Sequence, residues 1–238
     1  MKLSQSIRIK YQQVQERIAE SAILSSRSPD DVKLITVTKG KSIETVQAAI
    51  AAGAKILGEN YPVEGQTKII AASDQSSVQW HMIGHIQSRK ARIVCENFNY
   101  VHSLDSMKLA RRLDRFSGEM KITLPVLLEI NVSGEESKFG WRAHRKEDWA
   151  GLLAEFSEIV ELPNLQVRGL MTIPPMVADP EESRPHFQFL RKLRDYLATQ
   201  LSNVNWIELS MGMSADFESA IKEGSTMVRI GTAILGAR

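Results

Sequence analysis

Lys39 closes the run Lys33-Leu34-Ile35-Thr36-Val37-Thr38-Lys39-Gly40, where a short β-branched stretch reads as a strand and Gly40 as its end. A lysine at the C-terminal tip of a strand stands where α/β folds place their chemistry, and its amine can condense with a carbonyl. The plain alternative is a solvated lysine at a strand end. Arg229 is the second candidate, in Met227-Val228-Arg229-Ile230-Gly231. With the pleat period of two, Ile35, Val37 and Lys39 share one face of their strand, and Met227, Arg229 and Gly231 one face of theirs. Two loops of small residues complete the set. Ser210-Met211-Gly212-Met213-Ser214 precedes a helix start, whose free N–H groups favour an anion. Gly231-Thr232-Ala233 offers close backbone approach and a hydroxyl.

Helix and strand signals alternate along the chain that must position these groups. A helix spans about Leu3 to Leu24, with Ile7, Tyr11, Val14, Ile18 and Ala22 at helical spacing. The strand at 33–39 is followed by a helix that Ser42 caps and Gly53 stops. Further strands are expected at 55–60, 78–84, 100–104, 125–132, 165–173, 205–210 and 227–231. Helices separate them, with Pro62 in the first turn of one and Asp105 or Ser106 capping another. Eight strands at this spacing predict the α/β class and a single (β/α)8 TIM barrel, one domain over residues 1–238. Because a helix comes first and a strand near the end, the N-terminal helix is expected in place of the eighth helix. A doubly wound sheet is the alternative, but its glycine fingerprint is missing.

Composition narrows the class. The 238 residues are 43% hydrophobic and 24% charged, as in an ordinary globular protein. With 30 basic and 28 acidic residues the formal charge is +2, so nothing points to nucleic acid or an anionic membrane. Cys95 is the single cysteine, which excludes an intramolecular disulfide and a cysteine-clustered metal site. No signal peptide or membrane-length run is present, and the expectation is a cytoplasmic monomer.

If both inward faces meet where the barrel closes, Lys39 and Arg229 become neighbours at its mouth. Two cations there repel unless something anionic or electron-rich lies between them. Barrels also bind phosphate at the loops after their last two strands. A lysine, a phosphate cradle and an inward arginine suit pyridoxal 5′-phosphate (PLP), with the aldehyde on Lys39 as a Schiff base. Arg229 could instead be a core arginine paired with Glu208 or Glu59.

The motifs carry a resemblance. Thr36-Val37-Thr38-Lys39, Gly58-Glu59-Asn60-Tyr61 and His81-Met82-Ile83-Gly84 with Gln87 and Lys90 begin it. Asn131-Val132-Ser133, Ser137-Lys138 and Arg168-Gly169-Leu170-Met171 continue it. Leu209-Ser210-Met211-Gly212-Met213-Ser214 and Gly224-Ser225-Thr226-Met227-Val228-Arg229-Ile230-Gly231-Thr232 complete it. From end to end the chain resembles the PLP-homeostasis protein family (YggS/PROSC type). The resemblance implies a barrel like the N-terminal domain of fold-type III PLP enzymes and PLP bound to Lys39. It also implies phosphate contacts from Ser210, Gly231 and Thr232 with the loop that ends at Ser214, Arg229 near the pyridine nitrogen, and Asn60 as a further pocket residue. The implied role is non-catalytic: to buffer or deliver PLP, PLP-dependent apo-enzymes being the recipients. No catalytic residue and no metal ligand is assigned. Departures occur at Gly40-Lys41-Ser42, His85 and Arg89, where relatives carry other residues.

The competing readings are a racemase-like enzyme using Lys39 as its base and a Schiff-base aldolase without PLP. The chain stops soon after its last strand, without the β domain that covers the site in fold-type III racemases, and this favours an open site. Other features take plain roles. Cys95 reads as a buried small hydrophobe, and His81 and His85 as structural. Lys108, Arg111, Arg112 and Arg115 read as a solvated helix face, Trp141 and Trp149 as packing residues, and His186 as a surface residue. Lys138 is a candidate for a second, adventitious PLP.

Overall fold

In the first helix, α1 (Leu3–Leu24), Ile7, Tyr11, Val14, Ile18 and Ala22 form the buried stripe that their spacing dictates. The structure, a computed structural model, describes residues 3–75 and 77–237. The strands that follow are β1 (Lys33–Val37), β2 (Ile56–Glu59), β3 (Gln79–Met82), β4 (Tyr100–Leu104) and β5 (Leu124–Asn131). After them come β6 (Trp141–Arg142), β7 (Leu165–Met171), β8 (Glu208–Met213) and β9 (Met227–Ile230). The helices after α1 are α2 (Ile43–Ala51), α3 (Pro62–Ala71), α4 (Ala91–Asn97), α5 (Met107–Met120) and α6 (Trp149–Val160). The last three are α7 (Arg184–Gln200), α8 (Phe217–Lys222) and α9 (Thr232–Leu235).

All pairings are parallel, and β1-β2-β3-β4-β5-β7-β8-β9 closes on itself through the β9–β1 and β4–β5 pairs. That is the expected eight-stranded barrel. The short β6 is an addition, pairing only with the end of β5. α1 packs against α2, α8 and α9, so it fills the ring position after β9, as anticipated. The helix starts follow their local chemistry. Ser42 Oγ accepts from Thr45 N, Ser106 Oγ from Leu109 N, and Pro62 sits in the first turn of α3.

Most of the core lies between barrel and helices, but a second cluster fills the barrel itself: Ile35, Tyr100, Leu127, Met171 and Met227. These five define the inward parity. By the pleat period, Val37, His102, Glu129, Ile173 and Arg229 also point inward, so β-strand alternation alone loads the upper barrel with polar groups.

Cys95 is buried, with its thiol directed at the Leu113 carbonyl. Lys108, Arg111, Arg112 and Arg115 are exposed along α5. Trp141 packs edge-on against Phe156, and Trp149 against Phe189. His186 is half-buried, and its ring hydrogen-bonds the Val132 backbone.

Candidate functional site at the barrel mouth

The strand that carries Lys39 ends at Val37, two residues earlier than its composition suggests, and Lys39 stands half-buried in the turn that follows. Gly40 permits that turn through its positive φ of 69°. Both neighbours of Lys39 are clamped. Lys68 Nζ donates to the Thr38 carbonyl at 2.6 Å, and the Thr38 hydroxyl donates to Glu59 Oε1 at 2.6 Å. On the other side Gly40 N donates to Glu64 Oε1 at 2.6 Å. Lys68 Nζ also bonds Glu59 Oε1 at 2.7 Å and Glu64 Oε1 at 2.6 Å, so a single ammonium on α3 gathers the whole turn. Lys68 and Glu59 have side chains only 4% and 0% exposed. Burial pushes the Glu59 carboxyl up from its ordinary value, while Lys68 and Thr38 pull it back.

Arg229 sits lower than expected. The β1–β9 register sets Ile35 opposite Arg229, so Lys39 lies four residues further along the chain, past the end of β1. Arg229 lies within β9 and Lys39 in the turn beyond β1, so the two are not level with one another. Barrel strands are staggered by their shear, which sequence parity cannot give. Nor does Arg229 pair with Glu208 or Glu59. Its Nη1 donates to Ser210 Oγ at 2.6 Å and its Nη2 to the Thr172 carbonyl at 2.9 Å. Burial lowers Arg229 to about 10, with Glu129 and Asp216 opposing, so the guanidinium stays charged at neutral pH.

Ser210, assigned to the phosphate loop on resemblance, is instead a fully buried β8 residue whose hydroxyl meets Arg229 and lies 2.8 Å from His102 Nδ1. His102 Nε2 lies in turn 2.8 Å from His81 Nδ1. The expected anion site at the next helix start is also altered, since Asp216 Oδ1 accepts from Met213 N. A carboxylate of the protein occupies that turn. Ser214, Gly231 and Thr232 do come together: Ala233 N donates to Ser214 Oγ at 3.4 Å, joining the loops after β8 and β9. A Cβ at Gly231 would lie 3.1 Å from the Val37 carbonyl, so this backbone runs bare beside the strand that leads to Lys39.

A cavity of about 530 Å³ opens at the same end, lined by Asn60, Ile83, His85, Glu129, Phe139 and Ile173 among others. Asn60 Oδ1 and Glu129 Oε2 are buried there without a hydrogen-bond partner among the described residues. Glu129 was not singled out from the sequence, although a carboxylate within the most hydrophobic strand was the signal to follow. Burial, then the nearby Asp105, raise it to about 7, against the pull of Arg229. His85 stacks on Phe139 at 3.7 Å and pairs with Asp105 at 2.7 Å, forming part of the rim. Lys138 is ion-paired with Glu135 at 3.1 Å. Among the described residues no group of acidic, histidine or cysteine side chains could hold a metal ion.

The family model described as alanine racemase, N-terminal domain matches residues 9–238. A pyridoxal phosphate homeostasis protein from Vibrio alginolyticus is 44% identical over 216 residues, covering 89% of each chain. PipY of Synechococcus elongatus, solved with PLP bound, is 36% identical with a TM-score of 0.80, covering 92% of this chain and 100% of its own. Alanine racemase from Streptomyces coelicolor shares the fold at 18% identity and TM-score 0.71, covering 99% of this chain and 59% of its own. The chain belongs to the alanine racemase N-terminal domain family and, within it, to the pyridoxal phosphate homeostasis proteins.

Proposed function

We propose that this protein holds PLP at the mouth of its barrel, bonded to Lys39 as a Schiff base, and buffers or delivers it rather than catalysing turnover. The observation that carries this reading is the doubly clamped turn around Lys39 beside the bare backbone of Gly231. The names of the curated relatives and the PLP-bound PipY support it.

The residues present fit the cofactor. Asn60 Oδ1 lacks a donor and would accept from the ring hydroxyl. Ser214, Gly231 and Thr232 would take the phosphate, Ser214 having only a 3.4 Å bond to give up. Ser210 would act through Arg229, which it holds, rather than on the phosphate. Arg229 would face the pyridine nitrogen. When bound, PLP supplies an aldehyde for amines and a ring that draws electrons. A charged, donor-only arginine disfavours protonation of the ring nitrogen, which weakens that electron sink and suits storage over chemistry.

The recipients in this reading are PLP-dependent apo-enzymes, and the protein works as a cytoplasmic monomer. No helix among the described residues is long and apolar enough to cross a membrane. The test is an absorbance spectrum of PLP-loaded protein beside Lys39→Ala. A band near about 420 nm, the region of the protonated imine of this cofactor, is expected in the first and absent in the second. Added D- or L-amino acids should give no turnover. A wild type that stays colourless with PLP overturns the reading.

A further inference from the structure

The opposite end of the barrel holds a second polar cavity. It measures about 250 Å³ and is lined by Lys33, His81, Tyr100, Arg168 and Glu208 among others. Lys33, Tyr100 and Glu208 are the first residues of β1, β4 and β8, so the cavity opens at the N-terminal face, beneath the apolar cluster of Ile35, Leu127, Met171 and Met227. Stability rather than chemistry is the usual business of that face.

Its charges do not cancel. Glu208 takes Lys33 Nζ at 2.9 Å on one oxygen. Its other oxygen accepts from the Tyr100 hydroxyl and has Arg168 Nε at 4.0 Å. Two cations meet one carboxylate, leaving an excess of one positive charge.

One of the cavity's lining residues, His81, carries an unmet hydrogen-bond donor. Arg229 only donates, so Ser210 Oγ accepts from it. The Ser210 hydroxyl is fully buried, and its hydrogen finds its acceptor at His102 Nδ1. His102 is neutral, held well below its ordinary value by burial, so its own hydrogen is on Nε2 and goes to His81 Nδ1. His81 is also neutral, lowered by burial to about 3, and must therefore carry its hydrogen on Nε2. That nitrogen is buried without a partner among the described residues. His81 is 2% exposed and lines the cavity, so the row that starts at Arg229 ends in an unmet N–H donor beside surplus positive charge.

We propose that this cavity is a binding site for a small monocarboxylate. One carboxylate oxygen accepts from His81 Nε2–H, and the single negative charge balances the surplus held by Lys33 and Arg168. A phosphate dianion fits worse, because the neutral His81 adds no second charge. The site lies at the other end of the barrel from the place proposed for PLP.

The test uses the full chain without PLP, with sodium acetate as the probe and sodium chloride as the ionic-strength control. Histidine side-chain nitrogens are followed by long-range ¹H–¹⁵N NMR. The expected result is His81 and His102 both as Nε2–H tautomers, with a saturable shift of His81 Nε2 on adding acetate but not chloride. Arg168→Gln, at a partly exposed side chain, is expected to weaken acetate about tenfold and to leave the Lys39-dependent absorbance of PLP unchanged. An Nδ1–H tautomer at His81, the absence of saturation, equal acetate affinity in Arg168→Gln, or tighter binding of inorganic phosphate than of acetate would each overturn the proposal. None of these outcomes bears on PLP binding at Lys39, which the spectrum tests separately.

Discussion

The Lys68 ammonium donates to the carbonyl of Thr38 at 2.6 Å, so a helix side chain 30 residues away fixes the backbone directly before Lys39. The same nitrogen is shared by Glu59 and Glu64, which hold Thr38 and Gly40. Breaking a buried pair by removing one partner costs roughly 3–5 kcal/mol, because a charge is left without compensation. Lys68→Met is therefore expected to lower stability in urea by about that amount and to weaken PLP binding. The double variant Lys68→Met/Glu59→Leu should recover much of the stability, since the orphaned carboxylate is gone, but not the affinity, since the Thr38 carbonyl remains unheld. Equal PLP affinity in all three proteins would separate the clamp from the site.

This clamp marks the boundary of what the sequence makes legible. Local chemistry announces Ser42, Pro62 and Ser106 at their helix starts, and β-branched runs announce the barrel strands. Parity correctly turns Ile35 and Met227 inward. Register is a different matter. Whether Arg229 stands level with Ile35 or with Lys39 depends on barrel shear, a property of the closed sheet and not of either strand. For the same reason His81, His102 and Ser210, on three strands, could not be seen to form a row. Lys68 carries no local signal of its role, because its three acceptors come from the residue after β1, from β2 and from its own helix.

Glu129 should make the stability of the PLP-free protein fall as pH rises. Its folded value of about 7 lies above the ordinary 4.5, so the native state binds the proton more tightly. The contribution is fully present below pH 4.5 and is lost as pH rises through about 7. A shift of this size corresponds to roughly 3 kcal/mol. Glu129→Gln is expected to be more stable than wild type at pH 8 and to lack this decline, as read by urea midpoints across the range. If wild type and variant track each other from pH 5 to pH 8, the carboxyl is not buried neutral.

His81 and His102 act in the opposite direction. Both are held neutral by burial, below the ordinary 6.5, so their contribution is present above pH 6.5 and lost as pH falls. Each such group changes stability by up to about 1.4 kcal/mol per pH unit. Between pH 6 and 4.5 two histidines therefore outweigh the single opposing carboxyl, and these groups together should cost about 1.4 kcal/mol per unit of acidification. Urea denaturation at half-unit intervals checks this. A stability that stays flat through that window would contradict two neutral imidazoles inside the barrel.

Two glycine substitutions separate steric demand at the site from helix propensity. A Cβ at Gly84 would lie 2.5 Å from the Asn60 carbonyl oxygen and 2.6 Å from its Cα, and backbone atoms cannot swing aside. Gly84 is itself tied down, because Ser103 Oγ donates to its carbonyl at 2.6 Å. Gly84→Ala must therefore part the tips of β2 and β3, at an overpacking cost of about 1–3 kcal/mol. Since Asn60 carries an unmet acceptor of the mouth cavity, PLP affinity should fall with it. Gly151, within α6, has nothing within 4 Å of its Cβ position, so Gly151→Ala is expected to stabilise by about 0.5–1 kcal/mol and leave binding alone. The comparison is read from urea melts and PLP titrations of both variants. A Gly84→Ala protein that is destabilised yet binds PLP as wild type does would remove Asn60 from the pocket.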